Sequence, residues 1–537
     1  MRACMSGCYA ALISAPAAVL LCAACSMSPI DGPVDQRSFP PVMTSEEAAA
    51  HIGSGFRADP AFYSHLPLVV IDTGGEEILP SYRWDYEHGY AAAIPGAKPY
   101  VRADLRIFDN ETGANSLSGE PAFTSSVQIR LDTPPFVNDE KGQYRINLIT
   151  GGNSELEAPL LGMDSGSEWA LLGSARDSSL LRDYLAFTLA AQIMEFTPDA
   201  RYCEVLFKNG NDYFYHGVYL LAETVGMGPG RIDFSSRSGT VNIYTIINNI
   251  SGALKLAGTE TPPYIIQRGI FVPDGVMLET WATREKLSFG YLNLIYPEED
   301  VSGAMIQRIE ESVSRVERAL YSDNPVSYVN YTKYVDMDSF VDYYLLNEFM
   351  MNFNAGFRST YLFLDDRGRI RIGPVWDNLV AFDNNPGEAA DPNETAFYKA
   401  PWFDRMTRDI FFLNRLEQRY SKLRRSVLSD EKIVSLADTT ARWLGPARQR
   451  DWLRWSRSYT ALLAGTGRPG FAGTGPQERI KIKYLAIEHA QVIGDRIRRM
   501  AWGQSLMDSS YSNSRSALLA LGFAVLYFVT VHFGRHH

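Results

Sequence analysis

The feature that most constrains the fold is a change in the spacing of apolar residues along the chain. Between residues 66 and 150 apolar and polar residues alternate in short runs, the pattern of half-buried β-strands. Clusters of Gly, Asn and Pro separate these runs, which are LPLVVID, PYVRADLRIFD, SSVQIRLD and QYRINLI. From Ser178 onward the apolar spacing becomes helical. The sequence therefore predicts an α+β fold, with a β-rich N-terminal lobe and a mainly helical C-terminal lobe.

The helical part also contains strand signals. Ser178 and Ser179 can cap a helix with the sequence LLRDYLAFTLAAQIMEF, and a strand pair, CEVLFKNG and HGVYLLAETV, follows it. Further along, the pattern predicts an amphipathic helix at 304–320, a long helix near 338–351 and a hairpin at 360–376. Several more helices are predicted between residues 408 and 502.

Composition excludes several classes of protein. The chain has 537 residues, enough for two or three domains. Hydrophobic residues make up 46% and charged residues 21%, which excludes a disordered tail protein, a collagen-like fibre and a polytopic membrane protein. The chain has 51 Lys and Arg against 62 Asp and Glu, a net charge of −11. This balance argues against nucleic acid as a partner, because phosphate backbones attract clustered cations.

The cysteines are concentrated at the N-terminus. Four of the five precede residue 26, so the folded body keeps only Cys203. A lone thiol cannot form an internal disulfide bond, and metal clusters of the Cys-x-x-Cys type are excluded. Cys203 lies in a strand-like run, which favours a buried core thiol over a reactive one.

The N-terminus resembles a secretion signal. Arg2 precedes an apolar, small-residue stretch at 10–24. The small residues before Cys25 resemble the lipobox of bacterial lipoproteins, which predicts that Cys25 is lipidated. Plain cleavage after an Ala-x-Ala-like site is the alternative, and both interpretations predict an exported body.

The C-terminus is also apolar. Residues 517–533 carry no formal charge, and as a helix of about 1.5 Å per residue they would span ~25 Å. This run is apolar around its whole circumference, which predicts a transmembrane helix rather than a buried C-terminal helix. Together the two ends predict a body that is exported and anchored to the bacterial cell membrane, outside the cytoplasm.

Several common chemistries lack their motifs in this sequence. No two histidines before the C-terminal run are three to five residues apart, which argues against a His-Glu-x-x-His zinc hydrolase. Neither a Gly-x-Ser-x-Gly nucleophile elbow nor a Walker-type P-loop occurs. Residues 465–470 match GxGxxG, but they follow a helical stretch and contain Pro469, so they are interpreted as a flexible loop.

Three segments carry residues that could handle a phosphate group. Lys141 enters the strand QYRINLI, Asn209 and Gly210 precede a strand that ends at Glu223, and a hairpin strand ends at Asp377. Taken singly, the same residues are typical of a surface lysine, a tight hairpin turn and a strand-end cap.

The order and wording of these segments resemble the CotH kinase family, which is named for a spore-coat protein kinase with an atypical kinase fold. Residues 161–163, 169–172 and 177–183 are similar to the family's LLG, W-x-L and D-x-s-l-l-R-N stretches. Residues 209–223 resemble its NG…G-x-Y-x-l-x-E core, and residues 373–377 resemble its P-W-D signature. Five matches in the same order, over roughly residues 66–460, identify the chain as a member of this family.

The resemblance implies a two-lobed, atypical protein-kinase-like fold that transfers phosphate from ATP, with Mg²⁺, to Ser or Thr of a protein. By position, Lys141 would hold phosphate, and Glu223 would pair with Lys141 or with the metal. Asp377 would be catalytic, and Asp377 and Asn378 would bind Mg²⁺. Arg182 would contact phosphate, or else pair structurally with Asp177 or Asp183.

With the family included, the sequence divides into five predicted segments. They are a lipoprotein-like signal peptide at 1–25, a linker at 26–65, the β-rich lobe at 66–160, a CotH-like core with the helical lobe at 161–505, and the transmembrane helix at 517–533.

The chain departs from the family pattern at three places. The family's N-x-D element ends here in Asn354, which takes the catalytic position of that aspartate; an amide can orient a hydroxyl but cannot take its proton at neutral pH. The second acid of the W-D-x-D pattern is replaced by Leu379, which ligates nothing, although Asn378 and Asp383 are nearby. An R-G-x-S-S element before the lysine is degraded at 130–134.

These departures leave the function open between an active kinase and two alternatives. One alternative is a catalytically impaired, kinase-fold surface protein that binds a partner protein or an envelope polymer. The other is a carbohydrate-active enzyme that pairs Glu348 with Asp377. The predicted partners are a protein substrate or surface partner and the membrane, with no nucleic acid.

Overall fold

The computed structural model describes residues 39–85, 90–110, 114–132, 140–228, 230–233, 261–269, 275–287, 291–298, 300–365, 367–385, 390–397, 399–466 and 473–511. The predicted signal peptide, the lipidation site Cys25 and the predicted transmembrane segment 517–533 lie outside these residues, as does most of the string 465–470. Of the helices within the described ranges, none is both long and apolar enough to cross a membrane.

The described strands, numbered in chain order, are β1 (Arg57–Ala58), β2 (Tyr63–Ser64), β3 (Leu68–Asp72), β4 (Tyr82–Asp85), β5 (Tyr90–Ala93), β6 (Val101–Phe108), β7 (Asn115–Ser116), β8 (Phe123–Leu131), β9 (Tyr144–Ile149), β10 (Glu168–Leu172), β11 (Ala200–Asn209), β12 (Asp212–Glu223), β13 (Ile265–Gly269), β14 (Val276–Met277), β15 (Tyr291–Tyr296), β16 (Thr360–Leu364) and β17 (Ile370–Ile372).

The described α-helices are α1 (Ser45–Ala48), α2 (Arg182–Ile193), α3 (Trp281–Arg284), α4 (Gly303–Leu320), α5 (Pro325–Tyr328), α6 (Tyr331–Tyr334), α7 (Met337–Phe349), α8 (Phe403–Met406), α9 (Ile410–Leu423), α10 (Asp430–Thr466) and α11 (Gly475–Tyr511). A 3-10 helix spans Ser54–Phe56. The β-rich front and the helical rear confirm the predicted α+β class.

Most of the front strands close into a barrel. Their order is β12-β10-β9-β8-β6-β3-β11, and β11 pairs back onto β12. The strands are antiparallel except for the closing pair β3 and β11, which is parallel. Because the sheet meets itself, its barrel strands have neighbours on both sides.

Alternate side chains of the barrel strands fill its interior. In β6, Val101, Ala103 and Leu105 are buried while Arg102 and Asp104 are exposed, as the period of two requires. Cys203 of β11 belongs to the same core and is fully buried, and burial raises the pKa of its thiol. The prediction of a core thiol is therefore confirmed.

The C-terminal end of the predicted linker, 26–65, is folded. Thr44 and Glu47 form a capping box at α1, and β1 pairs with β12. Phe62 packs with residues from the outer face of β3 and β11. Strand pairing, apolar packing and hydrogen bonds from Arg450 to Ala48 and Ser64 therefore hold this segment in place.

A second sheet and the helices form the rear of the molecule. The sheet order is β14-β15-β13-β16-β17, and α7 packs against β17. Helix α10 packs against β12 and α11, and it is broken at Gly445 (φ 41°, ψ −120°), just before Pro446. Thus α10 connects the barrel with the helical part.

Helix α2 begins at Arg182 and not directly after the predicted cap at Ser178 and Ser179. The carboxylate of Asp177 accepts hydrogen bonds from the N–H groups of Ser179 and Arg182, at 3.1 Å each. The hydroxyl of Ser178 donates instead to the carbonyl of Gly473, at 2.6 Å. Asp177 therefore holds the first turn, while the hydroxyl of Ser179 donates to Asp177 and accepts the N–H of Leu181.

Candidate functional site

A cavity of about 840 Å³ lies between the barrel and the second sheet. Arg130 of β8, Arg145 of β9 and Glu168 of β10 line its barrel side, and Tyr361 of β16 lines the opposite side. The segment that follows β17 forms part of the wall, including Asp377. Both sheets therefore contribute to a single cleft.

Asp377 lies at the end of the segment that leaves β17. Its backbone has a positive φ of 58°, a conformation that a non-glycine residue adopts rarely and that often marks functional sites. The hydroxyl of Ser359 donates to its Oδ2 at 3.2 Å. Burial raises the pKa of Asp377, while Ser359 and the positive charges of Arg176 and Arg358 oppose that rise.

Asp183, in the first turn of α2, lines the same cavity. Its Oδ1 accepts hydrogen bonds from the backbone N–H of Asn378 at 2.9 Å and from the Asn378 side chain at 3.3 Å. Burial raises the pKa of Asp183 to about 7, and the negative charge of Asp377 adds to the effect. The cavity therefore holds two interacting carboxylates.

Sequence reasoning missed Asp183 as a site residue. The residue ends the family-like stretch 177–183, and the sequence predicts it only as an alternative partner of Arg182. The signal that could have found it is an acid at the last position of that stretch, where the family pattern has Asn.

The asparagines around Asp377 divide into one that reaches the cavity and two that are buried. Asn354 lines the cavity, whereas Asn352 and Asn378 have almost no exposed surface. The Asn352 amide donates to Asn378 Oδ1 at 3.2 Å, and Asn352 Oδ1 accepts from the N–H of Asn354 at 3.3 Å. Of the predicted metal pair, Asp377 therefore reaches the cavity, while the Asn378 side chain supports the wall from behind.

Lys141, the predicted phosphate ligand, is fully buried and is not among the residues that line the cavity. Its Nζ lies 2.6 Å from Asp451 Oδ1 and 3.3 Å from the Tyr459 hydroxyl, and 5.2 Å from the ring centre of Tyr219. Asp451 also accepts hydrogen bonds from the N–H of Val218 and the Tyr459 hydroxyl. This charge pair joins α10 to the barrel.

Glu223 does not pair with Lys141. Its Oε2 accepts the N–H of Asp199 at 2.9 Å, and its buried Oε1 has no described partner. Burial raises the pKa of Glu223 to about 7, although the Asp199 hydrogen bond and Arg231 act against the rise. Glu223 precedes Thr224 in the chain. Thr224 lines the cavity, but Glu223 does not.

Arg182 is also buried and holds structure together. Its guanidinium pairs with Asp177 and with Glu478 of α11, and its Nε donates to the carbonyl of Ala381 at 2.8 Å. Ala381 lies four residues after Asp377, so Arg182 fixes α2 and α11 to the segment that carries Asp377. The predicted structural pairing with Asp177 is present in the structure.

The arginines of the cavity differ in whether their guanidinium groups already have ion-pair or hydrogen-bond partners. Arg145 pairs with Asp132 at 2.9 Å and with Glu168 at 3.3 Å. The guanidinium of Arg231 donates to backbone carbonyls, among them that of Thr224. The guanidinium of Arg176 makes no hydrogen bond or ion pair with the described residues, although it lies near enough to Asp377 to influence its charge.

Glu348, the partner considered for a carbohydrate-active pair with Asp377, belongs to a different environment. It is buried, accepts the N–H groups of Ala396 and Phe397, and lies 3.2 Å from His489 Nε2. It is not among the residues lining the cavity, so the structure does not bring the two carboxylates of that alternative together.

The donor set suits a magnesium ion that arrives with a nucleotide. Among the residues that the structure describes, no three His, Cys, Asp or Glu side chains converge to hold a metal by themselves. Mg²⁺, however, typically binds through one or two carboxylates together with substrate phosphates and water. Asp377 Oδ1 has no described hydrogen-bond donor and lines the cavity, so it fits that role.

A family model described as CotH kinase protein matches residues 137–463, more than half of the chain. The match includes Asp183, Asn354 and Asp377. No curated protein is similar enough to match the chain.

Proposed function

Because the chain belongs to the CotH kinase family, we propose that it is an atypical protein kinase that transfers the γ-phosphoryl group of ATP to Ser or Thr of a protein. The observation that carries this proposal is the cavity between the two sheets, which combines Asp377 with several arginines. Phosphoryl transfer needs cations around the phosphates and carboxylates for Mg²⁺, and this cleft provides both kinds of group.

In this proposal the arginines of the cavity contact the phosphates. Arg176 has a guanidinium with no described partner, and Arg358 lies exposed at the cavity, on the same side as Asp377. Arginine suits this role because its planar group can donate two parallel hydrogen bonds to a phosphate. Asp377 would hold Mg²⁺, which when bound neutralises charge on the phosphates.

The proposed kinase acts outside the cytoplasm. The predicted signal peptide, lipidation at Cys25 and transmembrane segment 517–533 support an exported body anchored at the bacterial cell membrane. Its partners would be an exported protein substrate and the membrane itself. ATP and Mg²⁺ are the cofactors that this function requires.

A second candidate is a kinase-fold protein that has lost transfer and binds a partner protein or envelope polymer. The observation that favours it is the wall of the cavity, where Asn354 and Leu379 stand at positions that carry acids in the family. The burial of Lys141 against Asp451 adds to this, because the predicted phosphate ligand is already neutralised.

The test combines nucleotide binding with phosphate transfer, using the purified full chain. A ligand that binds only the folded state stabilises it by RT ln(1 + [L]/Kd), about 2.7 kcal/mol at a hundredfold excess over Kd. We expect Mg-ATP to raise the melting temperature and Asp377→Ala to abolish the rise. Asp338→Ala, an exposed acid of α7 that pairs with Arg415, is the matched control and should keep it.

Transfer is measured as radiolabelled phosphate incorporated into protein from γ-labelled ATP. An Mg-dependent stabilisation together with transfer supports the kinase. Stabilisation without transfer supports the second candidate. If millimolar Mg-ATP produces neither stabilisation nor transfer, a nucleotide site in this chain is rejected.

A further inference from the structure

Asp183 is a carboxylate whose hydrogen bonds occupy only one of its two oxygens. Both Asn378 groups donate to Oδ1, and no described residue donates to Oδ2. The side chain forms no ion pair with any residue in the described ranges, and it lines the cavity beside Asp377. Oδ2 is therefore an acceptor that the protein leaves to whatever enters the cleft.

Two other acids of the cavity wall, which are partly exposed, have a cation between them. Asp132 and Glu168 share the guanidinium of Arg145. A carboxylate that is half-buried next to another carboxylate, without a cation of its own, is costly for folding. Such an arrangement in a cleft is typical of a residue retained for chemistry.

Phosphoryl transfer to a hydroxyl needs a group that accepts the hydroxyl proton. Asn354 lines the cavity, but an amide cannot accept this proton at neutral pH. Asp377 is engaged by Ser359 and is assigned to the metal ion. Unlike Asp132 and Glu168, Asp183 has no cation partner among the described residues, and unlike Asp377 it has no other assigned task.

We propose that Asp183 is a catalytic residue of this chain, and that its Oδ2 accepts the proton of the attacking Ser or Thr hydroxyl. This inference rests on the proposed kinase function. It places the second acid of the site on helix α2 instead of on the segment that contains Asn354. The sequence departs from the family pattern in opposite directions at these two positions, with Asp where the pattern has Asn and Asn where it has Asp.

The step balances as an in-line displacement on the γ-phosphorus of ATP. The hydroxyl O–H bond breaks and its proton moves to Asp183 Oδ2. The hydroxyl oxygen forms a bond to the γ-phosphorus, and the bond from that phosphorus to the β–γ bridging oxygen breaks. ADP leaves with the electron pair of that bond, and the proton on Asp183 returns to solvent.

The surroundings of Asp183 fit a positioned proton acceptor. The two hydrogen bonds from Asn378 tie Asp183 to the residue that follows Asp377, which holds the proton acceptor close to the proposed metal ligand. Its neighbour Arg182 fixes the start of α2 through Asp177 and Glu478. Precise placement of this kind is what acid–base catalysis requires.

The experiment compares wild type, Asp183→Asn, Asn354→Asp and the double variant Asp183→Asn/Asn354→Asp, each as the full chain. Two quantities are measured for each, the shift in melting temperature with Mg-ATP and the rate of phosphate transfer to protein. Asp338→Asn is the control for loss of an acid outside the cavity.

We expect Asp183→Asn to keep the Mg-ATP shift and to lose transfer by about 10²–10⁴-fold. The double variant, which moves the acid back to residue 354, should regain at least tenfold over Asp183→Asn. Asp183→Glu keeps a carboxylate in a displaced position, and it should transfer faster than Asp183→Asn. Asp183→Glu also serves as the test variant if the Asp183→Asn protein does not fold.

Three outcomes would overturn the inference. Transfer by Asp183→Asn within threefold of wild type removes Asp183 from catalysis while leaving the kinase intact. Loss of the Mg-ATP shift in folded Asp183→Asn, as in Asp377→Ala, makes Asp183 a metal ligand instead of the proton acceptor. A wild-type chain that neither binds Mg-ATP nor transfers phosphate rejects the proposed function, and this inference falls with it.

Discussion

At the scale of single residues, the described ionisable side chains that lie away from bulk solvent include two contrasting groups. The pairs Lys141 with Asp451 and Arg450 with Glu204 neutralise each other away from solvent. Asp183 and Glu223 form no such pair with the residues that the structure describes, and burial raises the pKa of each carboxyl group to about 7. The first group contributes to assembly, and the second lies in or next to the cleft.

Replacing Lys141 tests whether it is a structural partner of Asp451 or a phosphate ligand. We expect Lys141→Met to lower the unfolding free energy by about 3–5 kcal/mol, because Asp451 would be left as a buried, uncompensated charge. Urea denaturation measures this loss. The double variant Lys141→Met/Asp451→Asn should recover part of it, since the asparagine oxygen can still accept the N–H of Val218. A phosphate-binding role predicts the opposite result, with little loss of stability and no Mg-ATP shift.

Glu223 should make stability fall as the pH rises. Its pKa in the folded state, about 7, lies above the ordinary value of 4.5, so the folded state holds the proton more tightly than the unfolded state. The stabilisation is complete below pH 4.5 and is lost as the pH rises through 7. Glu223→Gln should remove this pH dependence, and at pH 8 its free energy of unfolding should exceed that of wild type by up to about 3 kcal/mol.

Denaturation of both proteins between pH 5 and pH 8.5 measures the Glu223 effect. The difference between the two curves isolates Glu223 from Asp183, which titrates in the same range in both proteins. Parallel curves over this range would show that the carboxyl group of Glu223 has an ordinary pKa.

At the scale of elements, the hairpin of β11 and β12 is shaped to receive helix α10. The pairing shifts between Val205 and Leu206, opposite Gly217, which has a φ of 124°. The N–H of Val218 donates to Asp451 at 2.8 Å, and the indole N–H of Trp455 donates to the carbonyl of His216 at 2.6 Å. A β-bulge thus presents backbone groups to a helix from the other end of the chain.

Gly217→Ala should disrupt this docking. A Cβ at this position would lie 2.6 Å from Asp451 Oδ1 and 2.8 Å from Trp455 Nε1, in a backbone conformation that L-residues avoid. Gly210→Ala is the matched control, because Gly210 also has a positive φ but has no atom within 4 Å of its Cβ position.

We expect Gly210→Ala to cost about 1 kcal/mol from backbone strain alone, and Gly217→Ala to cost at least about 2 kcal/mol more. Urea denaturation of the two variants checks the difference. Equal losses would mean that the helix can move away from the hairpin without cost.

The barrel strands could be predicted because alternation is a local property of the sequence. LPLVVID and PYVRADLRIFD contain β3 and β6, and burial in β6 follows the alternation. The start of α2 at Arg182 could not be predicted in the same way. It depends on a partner that is distant in sequence, because the hydroxyl of Ser178 donates to the carbonyl of Gly473.

The candidate site also combines residues that the sequence predicts with contacts that it does not predict. Motif wording was enough to single out Asp377 and Asn354, and both line the cavity. The sequence does not show that Asp451, 310 residues away, neutralises Lys141. Nor does it show that Asn378, 195 residues from Asp183, positions that carboxylate. Charge signs can be read from a sequence, but their neutralisation depends on tertiary packing.

At the scale of the whole molecule, buried ion pairs tie the barrel to the helical part. Arg450 and Asp451 of α10 pair with Glu204 of β11 and with Lys141, just before β9. Removing one partner of a buried pair is strongly destabilising. The front and the rear of the molecule should therefore not open independently.

Hydrogen exchange followed by mass spectrometry tests this coupling. We expect the slowest amides of β9 and of the 446–459 part of α10 to have opening free energies that agree within about 1 kcal/mol, because both require global unfolding. In Arg450→Met the helix segment should exchange at least tenfold faster than β9. A tenfold difference already present in wild type would show two separately unfolding units.

The parallel pair β3 and β11 also determines when the barrel can be completed. Asp72 and Lys208, which face each other across this pair, are 136 residues apart. During synthesis β3 can pair with β6 on one side while its other edge waits for the β11–β12 hairpin to emerge. The cost of closing so long a loop is met before the pairing is gained, which slows folding. The barrel is therefore completed late in synthesis. Until then, the open edge of β3 must be kept from pairing with other unpaired strands.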